Sequence, residues 1–296
     1  LPIDAGLRLS GRIGANTNVG LLHMRSQGVD DVAPRNDYSV VRVNRELRNR
    51  SAVGAIFVNR QGNGAGLVDK DDDYNRTYAL DARLGVGENG QISGFVAKTD
   101  TPGRNGKDHA FSLRGAQETQ AWTTVLQYSE VGEDFNPEVG FLARRNYRNA
   151  EFFVLNRYRP EDLFGLLELR PHVFTSQFWR FDGEHESGFT HIDNHFEWMS
   201  GLEIHTGVNI THEQVFQPFE IANGVFVQPG NYNHKEVQLV YQTDLSAPLS
   251  LDVVMRRGGL FGGDRLSVDS TVKYRIGERF SSEASWIYND IDLEGD

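Results

Sequence analysis

The stretch that most constrains this fold runs from Phe189 to Glu213. From Thr190 it reads Thr-His-Ile-Asp-Asn-His-Phe-Glu-Trp, passes Met199-Ser200-Gly201, and goes on Leu-Glu-Ile-His-Thr-Gly-Val-Asn-Ile-Thr. Ile192, Phe196, Trp198, Leu202, Ile204, Val208 and Ile210 occupy even positions. His191, Asp193, His195, Glu197, Glu203, His205, Asn209 and Thr211 occupy odd ones. Side chains alternate faces along a strand, so this is a hairpin with one apolar and one charged face.

Varied copies of this unit fill most of the chain. Val237, Leu239 and Tyr241 oppose Glu236, Gln238 and Gln242. Leu249, Leu251, Val253 and Met255 oppose Ser250, Asp252 and Arg256, and Leu266, Val268, Val272 and Tyr274 oppose Arg265, Asp269 and Lys273. Earlier segments are noisier: 51–58 is apolar on both faces, and 164–178 carries aromatics on its polar side. The pattern predicts sixteen strands, at 5–13, 18–26, 38–47, 51–60, 74–86, 91–99, 108–117, 120–129, 149–158, 163–180, 189–199, 202–213, 234–244, 249–257, 264–275 and 279–291. No helical period of useful length is present.

The spacing between strands adds topology. Gaps 14–17, 48–50, 87–90, 118–119, 159–161, 199–201, 245–248 and 276–278 are short. The intervening gaps 27–37, 61–73, 100–107, 130–148, 181–188, 214–233 and 258–263 read as longer. Tight turns at one rim and long loops at the other mark an up-and-down barrel of the outer-membrane kind, whose strands need about 9–11 residues to cross hydrocarbon.

Composition narrows the alternatives. No run approaches the roughly 18 apolar residues of a membrane helix, which excludes a helical membrane protein. A net charge of −11 argues against nucleic acid as a partner, and the lack of cysteine removes disulfides and thiolate metal sites. A β-propeller would have to spend 74 residues on each of four blades (296/4), where about 40–50 is usual. The mean hydropathy of −0.48 suits a large soluble barrel or sandwich, but a wet interior and hydrophilic loops lower the average equally well. The fold expected is therefore all-β: a large up-and-down antiparallel transmembrane β-barrel of about sixteen strands in a single domain, 1–296. By parity the first and sixteenth strands would place both chain ends on the outer side. Periplasmic ends need one more strand at each side, at least eighteen in the intact protein, and two sheet edges in this chain.

Two segments carry a family likeness: Val40-Val41-Arg42-Val43-Asn44-Arg45 with 50–60, Arg-Ser-Ala-Val-Gly-Ala-Ile-Phe-Val-Asn-Arg, and 134–144, Asp-Phe-Asn-Pro-Glu-Val-Gly-Phe-Leu-Ala-Arg. Together with Gly6-Leu7-Arg8-Leu9-Ser10-Gly11-Arg12 they resemble an uncharacterised bacterial family, a domain of unknown function that usually follows a carbohydrate-binding family-9-like module. The resemblance implies an outer-membrane barrel in a Gram-negative bacterium, with lipid as partner and a link to saccharides. Some members carry the label of membrane-associated hydrolase, but the family supplies no catalytic motif to place on this chain.

The best chemical cluster is His191, Asp193, His195, Glu197, Glu203 and His205. A three-residue turn sets His195 opposite His205 and Glu197 opposite Glu203. Such neighbours lie about 5 Å apart, near enough to share a metal or to work as an acid–base pair. The plainer reading is a polar wall facing water in the lumen, with no catalytic residue, cofactor or stoichiometric metal. Asn136-Pro137-Glu138 lies in a long loop that either folds into the barrel or forms an ordered outer loop. Asp69 to Asp73 reads as a solvated acidic loop, since the glycine and distal glutamate of a calcium loop are missing. Gly62 to Gly66 lacks the lysine and helix of a phosphate loop. Trp122, Tyr128, Trp198, Tyr241, Tyr274, Trp286 and Tyr288 fall on apolar faces, where a lipid–water girdle would place them. Three functions are expected from these features: a pore or transport-related barrel that handles saccharides, a hydrolase with a lumen or loop site, and a structural or adhesion platform.

Overall fold

The computed structural model describes residues 2–29, 34–63 and 69–293, so Gly64 to Gly66 of the glycine-rich stretch lie outside the described residues. The chain is all-β. Alternating β-branched and aromatic residues, punctuated by glycine and asparagine turns, give strands β1 (Ile3–Ile13), β2 (Thr17–Ser26), β3 (Asn36–Glu46), β4 (Ala52–Gly62), β5 (Tyr74–Val86), β6 (Gly90–Asp100), β7 (His109–Glu118), β8 (Trp122–Val131) and β9 (Tyr147–Asn156). They continue with β10 (Leu166–Trp179), β11 (His185–Trp198), β12 (Glu203–Val215), β13 (Phe219–Ala222), β14 (Val225–Val227), β15 (Gly230–Gln242), β16 (Leu249–Leu260), β17 (Gly263–Ile276) and β18 (Phe280–Asp292). Sixteen of these form one antiparallel sheet in chain order, from β1 to β12 and then β15 to β18. The small β13–β14 hairpin stands inside what the sequence presents as a plain loop, 214–233. By contacts the chain divides into one unit of 1–117, 126–149 and 180–182, and another of 118–125, 150–179 and 183–296.

The short-long alternation is clear over the first half, where turns at 14–16, 87–89 and 119–121 alternate with connections at 27–35, 101–108 and 132–146. It fails later. The expected long gap 258–263 is a two-residue turn, Phe261-Gly262, with φ of 46° and 91°. Positive φ at both central residues matches the right-handed twist of the flanking strands. Gly258 and Gly259 belong to β16, not to a loop. A Cβ on Gly258 would lie 2.1 Å from the Lys235 carbonyl oxygen, so the glycine marks a close backbone approach.

Burial is inverted relative to a water-soluble sheet. Val237, Leu239, Tyr241, Val272 and Tyr274 are exposed, as are Leu80, Val86, Val96 and Leu113 in the other unit. Asp193, Asn209, Glu236, Ser250 and Ser267 are buried, and so are Asn75, Thr99 and Asn36. Trp122, Tyr128, Tyr241, Tyr274, Trp286 and Tyr288 are likewise exposed on the apolar side. β1 and β18 are the two edges of the sheet, each bonded on one side only among the described residues and exposed along its whole length. One small apolar cluster joins Ala110, Val131 and Phe135, flanked by Ala97, Leu142 and Tyr147.

The tight Phe261-Gly262 turn can be tested by substitution. Gly262→Val forces a β-branched residue to φ 91° with only the Tyr232 ring, at 3.8 Å, near the new Cβ. It should destabilise the folded chain by about 1–2 kcal/mol, the cost of a left-handed backbone. Gly11→Val, in β1 with nothing within 4 Å, should cost nothing. Urea unfolding midpoints of both variants check this.

Candidate functional site

The 189–213 hairpin adopts the register that its short turn implies: His195 pairs with His205, and Glu197 with Glu203. All six expected residues share the polar face. The side chains of His191, His195, Glu197, Glu203 and His205 are 16–24% exposed and that of Asp193 is 1% exposed. Ile192, on the opposite face of β11, is 48% exposed.

β10 completes the cluster with residues that the alternation did not flag. Its pairing with β11 sets Arg170 opposite His195 and His172 opposite Asp193. Arg170 donates through Nη1 to Glu197 Oε2 at 3.0 Å and through Nη2 to Glu203 Oε2 at 2.9 Å. Its Nη1 also lies 3.8 Å from Glu168 Oε1, and Arg159 Nε donates to Glu168 Oε2 at 2.8 Å. His205 Nε2 stands 2.9 Å from Glu203 Oε2. A planar guanidinium with a carboxylate on each arm is a strong charge-assisted arrangement. It also ties up the two glutamates: one guanidinium bridges both carboxylates, so each is directed at Arg170 rather than at the other.

The imidazoles pack against one another around Asp193. The His195 and His205 rings stack at 3.5 Å and 7°, His172 meets His195 edge-on at 4.8 Å, and His172 lies 5.2 Å from His191. A separate pair, His185 and His212, stacks at 4.3 Å. Further along the same face a groove of about 670 Å³ is lined by Phe153, Phe174 and Phe189 on one side and Glu236, Arg256 and Arg265 on the other. Arg265 is bound to Glu236, and Arg256 Nε donates to Gln238 at 2.9 Å.

The loop with Asn136-Pro137-Glu138 is ordered and folds over the polar ends of β4, β5 and β6. Asn75 Nδ2 donates to the Asn136 carbonyl at 2.7 Å, and the Glu138 amide donates to Asn75 Oδ1 at 3.2 Å. The Asn136 amide donates to Thr99 Oγ1 at 3.0 Å, and Arg60 Nε donates to Glu138 Oε2 at 2.6 Å. Phe135 anchors the segment in the apolar cluster. Arg60 also corrects the acidic-loop expectation. Asp69 to Asp72 form an exposed turn capped by Asp69, but Asp73 is buried and paired with Arg60 at 2.6 Å.

No family model matches the chain, and no curated protein matches it. Among solved structures it is similar to the crystal structures of Acinetobacter baumannii OccAB2 and OccAB3. Both matches are at 10% identity, with TM-scores of 0.46 and 0.47, over 94% and 93% of this chain and 87% of each of theirs.

Asn75→Ala removes two of the bonds that hold the 132–146 segment. The loss of about 1–3 kcal/mol for buried polar groups left unpaired should raise trypsin cleavage in that segment roughly tenfold. Unchanged cleavage would mean that Phe135 and Arg60 hold the loop by themselves.

Proposed function

We propose that the chain forms a membrane-spanning part of a Gram-negative outer-membrane β-barrel of the pore or transport class. The inverted burial supports this reading most: apolar side chains stay exposed on one face of strand after strand, while carboxylates and amides are buried on the other. A water-soluble sheet with that surface would expose far more contiguous apolar area than soluble proteins tolerate. Facing hydrocarbon, the same surface is stabilising, and for every strand between the edges β1 and β18 the ladder satisfies the backbone groups that lipid cannot.

On this reading the polar face lines the lumen, and the solute is a polar molecule that meets Arg, Glu and His. The groove between the Phe153, Phe174 and Phe189 rings and the Glu236, Arg256 and Arg265 side chains suits a saccharide, whose ring has apolar faces and a hydroxyl edge. The loop tied to Asn75 and Thr99 then covers strand ends on the side of the long connections. The hydrolase alternative gains nothing from Glu197 and Glu203, since Arg170 occupies both.

Purified protein reconstituted in a planar bilayer should conduct, and oligosaccharide should block the current in a concentration-dependent way. Leu239→Arg, on the exposed apolar face, should cost about 2–4 kcal/mol of folding into bilayers if Leu239 lies near the midplane. Asp252→Ala, on the polar face, should cost far less. Equal tolerance of the two substitutions contradicts the membrane reading, and a silent bilayer with normal insertion contradicts the pore.

A further inference from the structure

The wall of β10, β11 and β12 holds a group that its charge pairs leave unexplained. The Asp193 side chain is 1% exposed, and neither of its oxygens meets a donor in good hydrogen-bond geometry, its neighbours being imidazole nitrogens alone. A carboxylate buried without donors is unfavourable unless a cation meets it. His191 Nε2 lies 3.2 Å from Asp193 Oδ2, and His195 Nε2 lies 3.7 Å from the same oxygen.

The neighbouring hydrogen bonds select the kind of cation. His172 Nδ1 lies 3.1 Å from the Arg170 backbone oxygen, which can only accept, so Nδ1 carries the proton and Nε2 keeps its lone pair. His191 Nδ1 lies 2.7 Å from Asn209 Oδ1 and donates to it in the same way, turning the Nε2 lone pair toward Asp193. Two lone-pair atoms at 3.2 Å repel each other unless a proton or a metal cation lies between them. An imidazole whose other nitrogen is held by an oxygen acceptor has the outer shell typical of metal-binding histidine. The ligand atoms of His172, His191 and Asp193 all lie within 4.8 Å of one another. Zinc bonds of about 2.0–2.1 Å in a tetrahedron place ligand atoms roughly 3.3 Å apart, so the His191–Asp193 edge already fits.

We propose that His172 Nε2, His191 Nε2 and Asp193 Oδ2 bind one divalent transition-metal ion of the zinc class. Asn209 and the Arg170 carbonyl orient the two rings. His172 and His191 also line the 670 Å³ groove, so the ion has a route in from solvent and a fourth position facing whatever occupies the groove. Strand alternation alone does not reveal this ion, because His172 is brought beside His191 and Asp193, and Asn209 beside His191, only by pairing across strands. The three ligands stand together whether the opposite face meets lipid or water.

The test uses the full chain, folded in detergent or in buffer, stripped with chelator and titrated with Zn²⁺ by calorimetry and with Co²⁺ by absorption. One equivalent should bind at micromolar concentration or tighter, with the visible Co²⁺ bands of a four-coordinate site. His172→Ala and Asp193→Asn should weaken binding by about 100-fold or more, and Asn209→Ala, which removes only an outer-shell acceptor, by roughly tenfold. His185→Ala, in the separate stacked pair, should leave it unchanged. Circular dichroism confirms that each variant keeps its strands, and the wild-type titration decides the question if one does not. No tight equivalent in the wild type overturns the proposal. So does binding that survives His172→Ala but disappears on His205→Ala, which would assign the ion to Asp193, His195 and His205, whose ligand atoms also approach within 4.8 Å.

Discussion

The backbone ladder is the interaction on which the rest of this structure depends. Interior strands bond to a neighbour on both sides, so their peptide groups are satisfied without help from either face. That frees each face to suit a different medium. One carries Val, Leu, Tyr and Trp and is exposed, while the other carries Asp, Glu, Asn, Arg and His and is packed. In water such a sheet would have its polarity reversed. Against hydrocarbon the reversal is the favourable arrangement, since only a backbone paired within the protein tolerates lipid.

Once polar groups are packed against each other, each must find partners, and the face becomes a set of local networks. Arg170 ties strands β10, β11 and β12 together by bridging Glu197 and Glu203 across two strand boundaries. In the other unit Arg60 does similar work, joining Asp73, Asn36 and Glu138 and so fixing the loop that carries Glu138. Among the described residues Asp193 is one of several places where this pairing is incomplete, and it lies among closely packed imidazoles. A polar wall is thus a structural requirement of the fold, and the buried Asp193 carboxylate is what the proposed metal site adds to plain lining.

How much was legible in the sequence varied with register. Between β11 and β12 a short turn fixes the pairing, so the opposition of His195 and His205 can be read from the spacing alone. Between β10 and β11 it cannot. Register shifts occur at Leu166/Glu168 and Phe178/Trp179, and aromatics such as Phe174 stand on the polar face, which hid Arg170 and His172. Glycine misled in β16, where Gly258 and Gly259 look like a loop but serve a close backbone approach. The sixteen strands of the main sheet and their up-and-down order were legible because alternation persists across the chain, whereas the short β13–β14 hairpin was not. The loop anchors at Asn75 and Thr99 were not, since they join residues far apart in sequence.

The central claim is that the exposed apolar face meets lipid, and the absence of cysteine allows a direct test. Single cysteines at consecutive positions 236 to 241 of β15, each carrying a spin label in lipid vesicles, report access to oxygen and to a water-soluble nickel complex. Positions 237, 239 and 241 should favour oxygen, and 236 and 238 the nickel complex, with a period of two. Labels at 237, 239 and 241 that meet the nickel complex as readily as those at 236 and 238 would contradict it.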